Sequence, residues 1–443
     1  MFSLAGLSGP VAVQAQMVNN LWYMVNRLFI RFTTLLLMAV LYIAETDAQE
    51  TQWSGLNRDG KYNDTGLLQS WPENGPDLVL KKEGLGNGYS TPILYNGEVY
   101  ISGRRDSVDV VTRLDLEGNI IWETVYGSAW DQTFPESRNT PTIENDRLYI
   151  MGGLGTVVCL DTGTGEIFWQ VNTHQEYGGE FHRWGMAESL LLTEDAVISS
   201  PVGERTAVIA LDKRDGSLLW ESESLGGERA YASPLLIQHN GRTMILVISS
   251  KDLMGVDPRN GNILWAYDIV TNHTGDRNRR NNTNTPLFHR GEIFVTSGYD
   301  AEALMFTLAP DGGDVKLKWS DATLDTHHGG VVLVDGYLYG SNWLNNGNGN
   351  WVCQEWETGK VMYEEQWFNK GSVIYADGLL YLYEEKQGHV GLLKPSPRGF
   401  RLVSSFQVEG GTGPYWAHMS IYDKKLLIRH GEVLFIYDIS DKD

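Results

Sequence analysis

An all-β fold, built as a single β-propeller, is predicted by three observations. The first is a recurring string, Asp-x-x-x-Gly-x-x-x-Trp, at 161–169, 212–220 and 257–265, with a looser copy at Asp115, Gly118 and Trp122. The second is a set of eight similar segments spaced 42 to 52 residues apart. The third is that each segment leads into two apolar runs separated by a tight turn. A repeat of this period that reads as four short strands is the mark of radial repetition, which leaves only short, protected sheet edges.

The elements follow in chain order. Residues 49–75 form an extended lead-in carrying Trp53 and Trp71. Asp77–Lys82 reads as a lone strand with no local hairpin partner. The eight innermost strands are expected to start at Ser90-Thr-Pro92, Asn139-Thr-Pro141, Ala187-Glu-Ser189, Ala232-Ser-Pro234, Asn284-Thr-Pro286, His328-Gly-Gly330, Lys370-Gly-Ser372 and Trp416-Ala-His418. Turns such as Asn96-Gly97, Asp335-Gly336 and Asp377-Gly378 separate first from second strands. Between third and fourth strands, Asp215-Gly216 is read as a hairpin turn with positive φ at both central positions. Looser repeats occur at Leu308…Gly313…Trp319, Glu355…Gly359…Tyr363 and Leu393…Gly399…Val403. The last copy stops at Tyr437-Asp438-Ile439, one strand short, and the lone strand at 77–82 supplies it. Eight blades of four antiparallel strands, closed by an N-terminal strand, are therefore expected. Seven is the alternative if the Trp416 copy is incomplete.

Composition narrows the function. The chain has 443 residues and a formal charge of −21, which argues against a nucleic-acid partner because such binding needs a basic surface. Its two cysteines, Cys159 and Cys353, lie in different repeats, so neither a disulfide framework nor a cysteine-rich metal site is available, and no metal site is assigned. Arg27 and Arg31 precede an apolar run, Phe32 to Ala44, with small residues before Gln49. That pattern is a secretory signal, too short for a comfortable membrane span. Two units are expected: residues 1–48, a signal with an N-terminal extension starting ahead of Met24, and residues 49–443, the propeller. The mature chain should then be exported (periplasmic, surface-associated or secreted), without a transmembrane span and, lacking a cysteine at the cut, without a lipid anchor.

The repeated strings, together with HHGGVVLVDGYLYG at 327–340, resemble the pyrroloquinoline-quinone-like propeller repeat family over about residues 50–440. The resemblance implies the propeller fold but not one activity, since the family includes quinone-dependent alcohol dehydrogenases, a scaffold of outer-membrane assembly and other exported proteins. The dehydrogenases use an adjacent cysteine pair and a calcium ion beside the cofactor. Cys159 and Cys353 do not supply that pair, so no cofactor is assigned and pyrroloquinoline quinone is not expected.

Strand parity sorts the loops. Blade-to-blade connections share a face with the loops between second and third strands. His174, His182, His273, His327, His328, His389, His418 and His430 fall on that face, and only His239 and His289 on the other. Arg138, Arg183, Arg229, Arg277 and Arg280 join them, as do Trp184, Tyr231, Tyr415 and Trp416. Guanidinium forks bind carboxylate or sulfate, and flat rings stack on sugars. The face therefore reads as a site for anionic, uronate-containing and possibly sulfated, oligo- or polysaccharide. Elimination there, by a lyase or a dehydratase, would need a cation at the carboxylate, a base and an acid. The catalytic assignment is His182, His328, His418, Arg183 and Tyr231. The substrate-binding assignment is Arg138, Trp184, Arg229, Arg277, Arg280, His327, Tyr415 and Trp416. The bland alternative pairs these groups with nearby carboxylates in inert salt bridges. On the functional level the alternatives are a non-catalytic propeller scaffold, similar to the outer-membrane assembly propeller, and a quinone-dependent dehydrogenase.

Overall fold

Alternation of side chains along each strand places apolar residues on both faces of every sheet, so each sheet must be covered twice. A ring solves this. The computed structural model describes residues 51–181, 183–270 and 281–442; the expected export segment, residues 1–48, lies outside the described residues. Among them, 32 strands form eight four-stranded antiparallel sheets. Blades 1 to 7 span residues 93–128, 142–172, 191–221, 235–268, 287–321, 331–365 and 371–407. Blade 8 combines the three strands within 420–438 with Asp77–Lys82, which runs antiparallel to Val433–Asp438 and pairs Asp77 with Asp438. The Trp416 copy is complete, and eight is the blade number.

The core is divided into eight clusters, each lying between consecutive blades. In blade 2, Leu148 and Ile150 meet Tyr100 and Val111 of blade 1, while Tyr149 and Met151 meet Val197 and Ile209 of blade 3. The ring closes where Leu427, Leu434 and Ile436 of blade 8 pack on Val99, Ile101 and Leu114 of blade 1.

The repeated string has a specific job at these joints. Between blades 1 and 2, 2 and 3, and 3 and 4, the Trp of one blade lies on the Gly of the next blade's outer turn. A Cβ on Gly165 would sit 2.7 Å from Trp122, on Gly216 2.6 Å from Trp169, and on Gly261 2.5 Å from Trp220. Each indole also donates to a carbonyl of that same turn: Trp122 Nε1 to Thr162 at 3.0 Å, Trp169 Nε1 to Lys213 at 3.0 Å, and Trp220 Nε1 to Pro258 at 2.9 Å. The turn itself differs from expectation. Only Gly216 has positive φ (75°), the Gly216 N–H donates to Asp212 O at 2.9 Å, and the register shifts between Ala210 and Leu211. This is a turn ending in a glycine bulge, with one extra residue on the outer strand. Positive φ at both positions is found instead in the inner turns, as at Asn96-Gly97 (51° and 79°) and Asp377-Gly378 (47° and 83°).

The lead-in is not a surface segment. Ile143 N–H donates to Thr51 O at 3.0 Å, and Tyr62 N–H to Tyr375 O at 2.9 Å, so the chain joins the innermost strands of blades 2 and 7. Between these anchors Arg58, only 2% exposed, donates to the carbonyls of Ser189 (2.8 Å), Leu190 (2.5 Å) and Pro234 (3.0 Å) at the starts of blades 3 and 4. Burial, partly offset by Glu188, pushes its guanidinium down to about 10. Residues 51–62 thus plug the centre of the ring.

Trp169→Ala should lower folding stability by about 3 kcal/mol, the ordinary cost of emptying a buried tryptophan site, and Gly216→Ala by roughly 1–3 kcal/mol from strained backbone and ring contact. Chemical denaturation checks both. An unchanged midpoint in either variant would mean that the blades do not depend on this contact.

Candidate functional site

The start of blade 6 is built for close approach to the axis. A Cβ on Gly329 would lie 1.9 Å from Gly371 O, and Val373 N–H of blade 7 donates to Gly329 O at 3.1 Å. Only glycine lets the chain pass there. Asn284 fixes the corner from blade 5, donating to the carbonyls of Thr326 and His327, each at 2.9 Å, and accepting from Gly330 N–H at 3.1 Å. His327 and His328 are thereby held at the mouth of the ring with their rings 4.2 Å apart.

Their partners come from blades 5, 7 and 8. His327 Nε2 is 2.6 Å from Tyr299 Oη, and His328 Nε2 is 3.5 Å from a Glu385 carboxylate oxygen. The other oxygen of Glu385 pairs with Lys370 Nζ at 2.8 Å, with both side chains 3% exposed or less. Lys370 also donates to Asn345 O at 3.0 Å and Asn346 O at 3.3 Å. Trp416 Nε1 donates to Glu385 at 3.2 Å, and its ring meets His328 at 5.1 Å. His418 lies one layer deeper. Its Nε2 is 2.7 Å from His328 O, and its ring is 5.7 Å from Trp53 of the plug.

Burial and the Lys370 ammonium push His327 down to about 3. Burial, then the neighbouring imidazoles and Lys370, hold His328 well below the ordinary histidine value, and burial lowers His418 as well. All three imidazoles are therefore neutral near pH 7. A general base should titrate near the working pH, so these histidines do not suit the base role that elimination requires.

The other predicted site residues divide. Trp184 and Tyr231 do meet at the mouth: the Trp184 N–H donates to Tyr231 Oη at 2.9 Å, and the Trp184 ring lies 6.4 Å from Tyr299. Burial raises the Tyr231 hydroxyl far above neutrality. Arg183 is exposed and lies over the face of Trp184, at 5.6 Å. Arg138 donates to the carbonyls of Glu136 and Phe134 in its own loop. Arg229 is removed from the site altogether. It is 3% exposed and donates to Pro201 O at 2.7 Å and Thr173 Oγ1 at 2.9 Å, so it braces blades 2 and 3. Tyr415 stacks on His430 at 3.6 Å. The assignments to His182, Arg277 and Arg280 fall outside the described residues. Lys370 and Glu385 carry no sequence assignment, although strand parity puts both on this face. No metal ligand set was expected either, yet His327, His328 and Glu385 bring three ligand atoms within 4.8 Å of one another.

A quinone cofactor does not fit this chain. Cys159 and Cys353 are buried in blades 2 and 6 and form no adjacent pair, and Trp53 and Arg58 fill the axis. Fold and site together define an eight-bladed propeller of the pyrroloquinoline-quinone-like repeat type with a plugged axis. The family model described as outer membrane protein assembly factor BamB matches residues 107–361, more than half of the sequence, and the chain belongs to that family. It is similar to the outer membrane protein assembly factor BamB of Moranella endobia, 22% identical over 312 residues that cover 66% of this chain and 75% of that protein. Among solved structures, BamB from Moraxella catarrhalis superposes with a TM-score of 0.61 at 15% identity, over 82% of this chain and 99% of that one. The quinohemoprotein alcohol dehydrogenase of Comamonas testosteroni gives 0.62 at 12% identity, over 90% and 82%. These two superpositions describe the fold alone. The family match overturns elimination on anionic carbohydrate as the function, in favour of the scaffold alternative.

The Lys370–Glu385 pair gives a test of the architecture at the mouth. Lys370→Met alone should cost about 3–5 kcal/mol by leaving a buried carboxylate without its countercharge. The double variant Lys370→Met/Glu385→Gln should recover much of that loss in the same denaturation assay. Equal stabilities for all three proteins would contradict the pairing.

Proposed function

We infer that this protein is a non-catalytic propeller serving the assembly of outer membrane proteins, as the name of its family states. The family match across 107–361, which runs from blade 1 into blade 6, carries the reading. A rigid ring with its axis filled from within is suited to presenting loops to a partner protein rather than to enclosing a substrate. The loops of the histidine face carry Trp184, Tyr299, Trp343 and Trp416, and tryptophan and tyrosine dominate the energetic centres of protein interfaces. Work at the outer membrane requires export, in agreement with the basic residues and apolar run ahead of Gln49.

Deleting the gene in the organism that encodes it should lower the amount of outer membrane proteins correctly inserted, measured by quantitative proteomics of isolated outer membranes. Re-expression of the wild-type chain should restore them, and a Trp184→Ala/Trp343→Ala variant should restore them poorly. Unchanged levels on deletion would refute the assignment.

A further inference from the structure

We propose that His327, His328 and Glu385 form a binding site for a transition-metal ion of the zinc class, at the mouth of the ring on the face that carries the long loops. Three observations support it. The ligand atoms lie within 4.8 Å of one another, with His328 Nε2 and Glu385 separated by 3.5 Å. Tetrahedral coordination at bond lengths of about 2.0–2.1 Å places ligand atoms roughly 3.3 Å apart, so side-chain adjustments of up to about 1.5 Å complete the set.

The second observation is the state of the nitrogens. His327 Nδ1 and His328 Nε2 are both buried and neither makes a hydrogen bond. A buried imidazole nitrogen without a partner costs free energy, and two of them on adjacent residues beside a carboxylate make an arrangement that a cation relieves. Nδ1 is the atom left for coordination on His327, because its Nε2 is engaged by Tyr299 Oη at 2.6 Å. In the tautomer whose Nε2–H donates to Tyr299 Oη, the Nδ1 lone pair is free for coordination.

The third observation is the surrounding shell. Metal-binding imidazoles and carboxylates are ordinarily oriented by further hydrogen bonds. Here Tyr299 holds His327, while Lys370 at 2.8 Å and Trp416 at 3.2 Å hold Glu385. Lys370 offsets the carboxylate charge, which disfavours calcium and magnesium, ions that rely on several anionic oxygens. Two imidazoles and one carboxylate suit zinc, copper or nickel instead. With three protein ligands the coordination shell keeps a position open to water or to a donor from a docked partner. The site does not depend on the assembly role, and neither stands or falls with the other.

The test uses the purified full chain, stripped with a chelator and dialysed against buffered zinc ion, with bound metal measured by mass spectrometry. About one equivalent should be retained, and affinity should fall about tenfold or more in His328→Ala and in Glu385→Gln. Loading with cobalt ion should give the visible absorption of a four-coordinate nitrogen- and oxygen-ligated site. Retention well below one equivalent, or unchanged binding in a His327→Ala/His328→Ala variant, would overturn the proposal. If the variants lose their far-ultraviolet dichroism, the cobalt spectrum of the wild-type chain decides: its intense four-coordinate bands support the site and their absence removes it.

Discussion

The contact on which four of the eight joints depend is an indole lying on a glycine of the neighbouring blade. It does two things at once. The ring covers apolar surface at the outer end of the joint, and its N–H donates to a carbonyl of the neighbouring turn. The glycine is required twice over, by positive φ and by the absence of a Cβ beneath the ring. Where the string is loose, the joint changes. Trp265 of blade 4 packs over its own Gly255 and its buried Nε1 makes no hydrogen bond, because blade 5 brings Gly312 under Met244 instead. The lock returns between blades 5 and 6, where Trp319 covers Gly359 and donates to Trp356 O at 3.0 Å.

The plug ties the axis to the mouth. Arg58 gathers carbonyls from blades 3 and 4, and Trp53 supports His418, whose imidazole meets the carbonyl of His328. A side chain at the mouth is therefore positioned by three layers: a glycine corner, an asparagine clamp and a lead-in segment seated in the channel. Rigid placement of this kind suits either a docking surface or a metal site, and explains why polar groups so close to the axis are tolerated.

Eight histidines on one face suggest chemistry, yet among the described residues His174, His389 and His430 are packed against aromatic rings. His174 lies on Phe181 at 3.8 Å, His389 stacks on Phe368 at 3.7 Å, and His430 sits against Tyr415 with both ring nitrogens within 2.7 Å of loop carbonyls. These residues, at the ends of strands or in a short helix, fill space beside an aromatic ring. His174 Nδ1 is likewise buried without a hydrogen bond, but His327 and His328 differ in being grouped with a carboxylate, that of Glu385. Strand parity alone could not tell the two kinds apart, because it assigns a face and says nothing of distance.

Blade number, strand order and ring closure by Asp77–Lys82 were all legible in the amino-acid sequence. They rest on local periodicity and on turn residues, whose requirements act over a few neighbours. The conformation of the Asp215-Gly216 turn was misread because a glycine bulge and a two-residue turn share the same dipeptide. The plug, the removal of Arg229 from the site and the meeting of His327, His328, Lys370 and Glu385 were decided only by tertiary structure. Each joins segments far apart in the chain, as with Arg58 and Pro234 or His328 and Glu385. Their geometry follows from how eight sheets close around an axis, which no local pattern encodes.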